Sequence, residues 1–259
     1  MKRALQAYTF LVMILLYAPV VLMIVNSFNE NPFMDSFSGP SLRWFELLLR
    51  DREARAGYVN SLVVAVASSA LSVLLAFAAS SAASNRKVSL MDAIAYPPIV
   101  IPEIAEAVAL FMFFHIAGAE LGWPTVVIGH TAFNVAFAYV TLRATGTRFE
   151  TLENVARTLG ASRFQVFKDI VLPLALPSIV VALAITFLLS FTNFMKTLFT
   201  TGPGFYTLPI LIWNRARRPG VEELSYPNAL NALFTPLVLI SLSIAITYTL
   251  YVITRQRKE

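Results

Sequence analysis

Six apolar runs of membrane-spanning length, parted by polar breaks, constrain this chain more than any other feature. A bilayer's hydrocarbon core takes about 20 residues of α-helix. Inside it every backbone N–H and C=O must find a partner within the protein. The chain is therefore expected to be an all-α membrane protein, with six transmembrane helices in a single domain over residues 1–259. The runs fall at about Tyr8–Phe28, Asn60–Ser84, Tyr96–Ala117, Thr125–Leu142, Leu174–Thr200 and Ala229–Thr254. Composition agrees, since only 14% of residues are charged against about 25% in soluble domains.

Details of the runs refine this reading. Lys2 and Arg3 open the first run as they would a signal peptide, but its length and the lack of a small-x-small cleavage site favour an uncleaved helix. Ser41 is placed to cap a short amphipathic helix over 41–51, lying in the interface plane. The second run is rich in Ala and Ser, which suits an internal helix of a bundle rather than a lipid-facing one. Pro97, Pro98 and Pro102 make the start of the third irregular. Residues 201–228 read as a polar loop.

Basic residues set the orientation. With both termini cytoplasmic, that side holds Lys2, Arg3, Arg86, Lys87, Arg143, Arg148, Arg157, Arg163, Lys168, Arg255, Arg257 and Lys258. The net charge of +5 is thus a topology signal rather than a nucleic-acid footprint. There is no cysteine, so no disulfide framework, thiolate metal site or thiol nucleophile exists. No GxxxxGK[ST] loop is present either, and any ATP must be bound by another subunit.

The longest central break, about 144–173, carries two amphipathic patterns that meet at a glycine. Leu152, Val155, Ala156 and Leu159 form one helical stripe, and Gly160 can supply the positive φ that ends it. Phe164, Phe167 and Val171 restart a stripe, while Arg157, Arg163 and Lys168 take the wet side. This stretch resembles the EAA loop of inner-membrane permease subunits of ABC importers, the MetI-like family. Gly160, Ile170, Leu172 and Pro173 match the motif, and Ala156 matches its second alanine. Asn154 and Val155 stand where the motif has Glu and Ala, with Glu153 one place earlier. The GHTAF run at Gly129–Phe133 and the stretch Ser190–Trp213, with TGPG before Tyr206 and Leu208-Pro209, are similar to spermidine/putrescine-type permeases.

The resemblance implies a MetI-like fold and a non-catalytic subunit in the bacterial inner membrane. It also implies a second homologous permease, two ATP-binding subunits and an extracytoplasmic solute-binding protein as partners. ATP and Mg would sit on the ATPase subunits, with no cofactor in this chain. The loop residues Glu153, Asn154, Val155, Ala156, Arg157, Leu159, Gly160, Ala161 and Ser162 would be the coupling surface. The solute would be a small polar molecule, whether polyamine-like, another amine, amino-acid-like or a phosphonate. Where the family has an acidic pair, this chain has Thr192 and Asn193.

A charge inside a span costs at least about 2.5–3.5 kcal/mol on insertion scales, so each one is a functional candidate. Glu103 and Glu106 share a face of the third span, His130 and Asn134 of the fourth, and Asn193 and Lys196 of the fifth. Together they suggest a polar translocation path. The alternative is that Lys196 merely neutralises Glu103 or Glu106. In the second long outer loop, Tyr206, Trp213 and Asn214 are candidates for contact with the binding protein, or members of an interfacial aromatic belt.

Two other classes compete. An ATP-independent secondary transporter or channel often shows internal repeats, and the halves here show no convincing similarity. An intramembrane serine protease would use Ser162 with His130 as base. Ser162, however, lies in a polar loop, and Phe164 stands where that motif needs glycine.

Overall fold

A computed structural model describes residues 2–82, 90–146 and 149–256. Arg86, Lys87, Arg148, Arg257 and Lys258 lie outside them. Among the described residues there is no strand, only an isolated bridge between Asn29 and Pro40. Five helical stretches are long and apolar enough to cross a bilayer: Leu5–Asn26, Arg52–Ser81, Trp123–Ala144, Arg163–Phe191 and Pro227–Thr247. A sixth span, if counted, is a pair of segments, Leu90–Val100 and Glu103–Ile116, bent by 110°.

In chain order the helices are α1 (Lys2–Asn26), α2 (Arg43–Arg50), α3 (Arg52–Ala82), α4 (Leu90–Ala95), α5 (Pro97–Val100), α6 (Glu103–Ile116) and α7 (Trp123–Gly146). Then come α8 (Phe149–Thr158), α9 (Arg163–Val166), α10 (Leu172–Phe191), α11 (Met195–Thr200), α12 (Leu208–Ala216) and α13 (Pro227–Gln256). They form two compact units: Met1–Tyr58 with Leu208–Glu259, and Val59–Thr207.

In the first unit, polar loops are tied to helix ends by buried amides. Asn29 Nδ2 donates to Ser36 O at 2.7 Å, and its Oδ1 accepts from Ser38 N at 3.1 Å. Trp44, fully buried on α2, donates from Nε1 to Asn29 O at 2.7 Å. Asn228 Nδ2 donates to the carbonyls of Asn31 and Phe33, both at 2.8 Å. α2 begins one residue later than the cap at Ser41 implies, but the Ser41 hydroxyl still accepts from Arg43 N at 3.1 Å. α12 corrects the expected polar loop. Leu208, Ile210, Leu211 and Ile212 are buried there, and its Arg215 guanidinium meets Asp51 at 2.9 Å, Glu53 at 3.3 Å and Glu222 at 3.5 Å. Six apolar residues in nine are too few for a span, but they suffice for a short packed helix.

The second unit holds the candidate site. Its cores are Val73, Ala76, Ala95, Ala138, Tyr139, Leu142 and Ala182 in one cluster, and Val64, Val126 and Val127 in another. α3 starts well before Asn60, because Arg52, Glu53, Ala54, Arg55 and Ala56 are good helix formers. It is internal on one side only. Ser61, Ser68, Ser69 and Ser72 are buried, whereas Leu62, Val63, Val66 and Leu74 are at least half exposed. Ala65 and Ala76 are buried on the same side, whereas Ala70 and Ala78 are exposed on the other.

Two expected spans are broken. The third splits at Tyr96 and again at Ile101–Pro102, where three prolines remove backbone donors and forbid a regular helix. The fifth stops at Phe191 and restarts at Met195. There the Asn193 side chain takes over, with Oδ1 accepting from Lys196 N at 2.9 Å.

Candidate functional site

The break at Thr192–Phe194 puts a lysine where no water reaches it. The Lys196 side chain is 1% exposed, and its Nζ lies 2.9 Å from Glu103 Oε1 and 3.7 Å from Glu106 Oε2. The same Nζ sits 3.5 Å from the centroid of the Phe133 ring on α7. Asn193 Nδ2 also donates to Glu103 Oε1. Burying an unpaired ammonium would cost several kcal/mol, and the two carboxylates and the aromatic face are the partners that offset that cost. Glu103 is half exposed, while Glu106 is mostly buried. Glu106 Oε2 has no hydrogen-bond donor among the described residues.

His130 and Asn134 are buried and braced rather than open. Thr197 Oγ1 donates to Asn193 O at 3.1 Å, so it accepts from His130 Nε2–H at 3.0 Å. His130 Nδ1 is then left to accept from the Ser190 hydroxyl at 2.7 Å, and Ser68 Oγ donates to Ser190 Oγ at 2.9 Å. Asn134 Nδ2 donates to Thr186 O at 3.1 Å. A run of hydrogen bonds therefore reaches from α3 through α10 and α7 to the break that carries Lys196. The expected set thus separates. Glu103, Glu106, Asn193 and Lys196 come together at one cluster, with His130 behind it and Asn134 apart from it.

Beside the cluster a cavity of about 320 Å³ is lined by Glu106, Pro98, Ala109, Leu110, Phe113, Ala132 and Phe133. Sequence reading did not single out Phe133, Ser190, Thr197 or Ser68 as site residues. Hydroxyls inside an apolar run carry no periodic signal, and Phe133 looks like any other lipid-compatible aromatic. Asp92 was also missed. It is buried on α4, accepts from Tyr139 Oη at 2.8 Å and pairs with Arg143 Nε at 3.4 Å, which fixes the start of the broken span on α7.

The central loop folds as two helices joined at Gly160, whose φ of 92° belongs to the left-handed region. Gly160 N donates to Arg157 O at 3.0 Å and Ala161 N to Ala156 O at 3.0 Å, the paired bonds that close a helix C-terminus. Ser162 then caps α9, its Oγ accepting from Gln165 N at 3.3 Å while Gln165 Oε1 accepts from Ser162 N at 2.9 Å. A widened turn, Phe167–Val171, leads into α10 and accommodates Pro173, whose ring would strike the carbonyl four residues back in a regular helix. Leu152, Val155 and Leu159 are 48%, 53% and 83% exposed, so the apolar stripe of α8 has no cover within the chain. The second stripe differs from expectation. Val171 is buried, whereas Phe164 is exposed and Phe167 is partly exposed with its ring edge-on to Phe77. Glu153 and Ala156 are partly covered, whereas Asn154, Arg157 and Ser162 are exposed.

Of the outer-loop residues, Tyr206 supplies a carbonyl to Asn60 Nδ2 at 2.8 Å. Trp213 and Asn214 are exposed on α12, and Arg217 lies 5.8 Å over the Trp213 ring.

Comparison with known proteins follows the same lines. A family model described as "binding-protein-dependent transport system inner membrane component" matches residues 68–259. The chain is 30% identical over 236 residues to the spermidine/putrescine transport system permease protein PotC of Escherichia coli (strain K12), covering 89% of this chain and 87% of that protein. It is 29% identical over 255 residues to the putrescine transport system permease protein PotI of the same strain, covering 94% and 88%. In fold it is similar to a chain of a bacterial ABC transporter involved in import of the acidic polysaccharide alginate, with TM-score 0.66, 15% identity, and 98% and 95% of the two chains covered. A chain of the inward-facing MetNI methionine ABC transporter gives TM-score 0.57 at 20% identity, covering 83% and 98%.

Proposed function

The chain belongs to the family of binding-protein-dependent transport system inner membrane components, and on that footing we propose how its two sites work together in an ABC importer. It is the permease subunit, an inner-membrane protein that works with a solute-binding protein. A second homologous permease completes the path, and two ATP-binding subunits, carrying ATP and Mg, dock on the cytoplasmic side. The termini are cytoplasmic, and the chain itself performs no chemistry. The observation that carries this reading is the uncovered stripe Leu152, Val155 and Leu159 beside a turn closed by its own hydrogen bonds.

A rigid connection supports a lever role. Each apolar side chain buried in an ATPase groove contributes about 1.5–3 kcal/mol. The Gly160 turn, the Ser162–Gln165 cap and the widened turn hand motion of α8 to α10. α10 has 20 residues, about 30 Å at 1.5 Å per residue, and ends at the break before Lys196. Nucleotide-driven closure of the ATPases would then shift α8 and, through α10, the Lys196 cluster. Only different contacts with the two ATPase states can supply that energy. Glu103, Glu106, Asn193 and Lys196 line the path, with His130 bracing it and Asn134 holding α7 to α10. The relatives' names point to an amine as the solute.

Affinity purification of this chain from its native membrane tests the assembly. The expected result is a complex that retains a nucleotide hydrolase, with ATP turnover raised by its solute-loaded binding protein. A preparation that moves solute in liposomes without nucleotide or partners would overturn the reading.

A further inference from the structure

We propose that the cavity beside Glu106 takes a single ammonium group on an apolar body, and that Lys196 is the residue that excludes a second. The inference rests on the path assignment above and names the solute class it admits. Two carboxylates, Glu103 and Glu106, face one resident ammonium, so the formal charges leave one negative charge unspent. Lys196 draws mainly on Glu103, at 2.9 Å against 3.7 Å for Glu106. Glu106 is the weaker partner, its buried Oε2 facing Lys196 Nζ from beyond hydrogen-bond distance. That residue is the one charged member of the cavity lining, and the remaining walls are apolar. About 320 Å³ is at the small end of ligand sites.

The cage that a second ammonium would need is already filled. A carboxylate oxygen and an aromatic face suit a primary ammonium, and Lys196 Nζ already holds both, Glu103 Oε1 at 2.9 Å and the ring face of Phe133 at 3.5 Å. A diamine entering the cavity would bring its second charge against this buried lysine. The site thus accepts an organic monocation and disfavours a dication of the same length.

The chain has no cysteine, so an Ala132→Cys variant puts one thiol at the exposed rim of the cavity. In the complete assembly, its rates with 2-aminoethyl and 2-sulfonatoethyl methanethiosulfonate, each scaled to a free thiol, read the local charge. The cationic reagent is expected to react about tenfold faster, and adding Glu106→Gln should bring the ratio near one. n-Butylamine should protect the thiol at a concentration about tenfold lower than putrescine. In a Lys196→Met background putrescine should protect at least as well. Equal rates for the two reagents, a preference that survives Glu106→Gln, putrescine matching n-butylamine in the parent, or a thiol that no reagent reaches would each overturn the proposal. ATP turnover in the same samples reports the importer role separately. If it is intact while the charge preference is absent, only this inference falls.

Discussion

Leu159→Asp is expected to abolish stimulated ATP turnover while the chain still inserts and folds. Leu159 is 83% exposed and ends the α8 stripe, so its loss removes almost no contact within the chain. Surface changes of that kind usually stay within about 0.5 kcal/mol. Against an ATPase groove the change is large. About 2 kcal/mol of apolar transfer is lost, and a carboxylate must be buried without a partner, which costs several kcal/mol more. Docking should weaken at least about hundredfold, the equivalent of about 2.7 kcal/mol. Gly160→Pro should act alike by another route. It removes the N–H that bonds to Arg157 O and forbids the φ of 92°. Normal turnover by either variant in a fully assembled complex would count against the coupling role.

Gly202→Ala should produce the largest structural effect of any single methyl group added in the second unit. A Cβ at this position would lie 1.8 Å from Leu121 O and 2.5 Å from Leu121 C, both backbone atoms that cannot rotate away. The loop they belong to is pinned, since Thr125 Oγ1 donates to Thr200 O at 2.7 Å and accepts from Gly122 N at 2.8 Å. Overpacking costs about 1–3 kcal/mol when side chains can yield, and a backbone collision belongs at or above the top of that range. Because Thr200 closes α11, the strain reaches the helix that carries Lys196. A sharp fall in the thermal midpoint of the purified assembly is expected. Gly204→Ala is the control, with a φ of 80° and no atom within 4 Å, so only the backbone cost of about 1–2 kcal/mol applies. Equal midpoints for the two variants would contradict the close approach at Gly202.

The apolar runs made the helices legible because membrane length and backbone satisfaction leave few alternatives. Gly160 made the turn legible, since left-handed φ after an amphipathic stripe is a local demand. What escaped were features set by tertiary context. Three prolines signal irregularity near Tyr96, but not a bend of 110°. Asn193 inside an apolar run looks like a path residue, and only the structure reveals that its side chain also bonds the first turn of the helix that restarts after the break. α12 is too short to stand out from its proline-flanked surroundings. The pairing of Lys196 was legible as a charge that needed neutralising, whereas the Phe133 face beneath it was not.

The central claim is that the Gly160 turn meets an ATPase at the cytoplasmic surface. A Leu159→Cys variant of this cysteine-free chain, labelled with a membrane-impermeant maleimide, tests it most directly. Labelling is expected in inverted vesicles stripped of peripheral subunits, protection when the ATPase subunits are present, and none in intact cells. Labelling from outside intact cells, or equal labelling with and without the ATPase subunits, would contradict it.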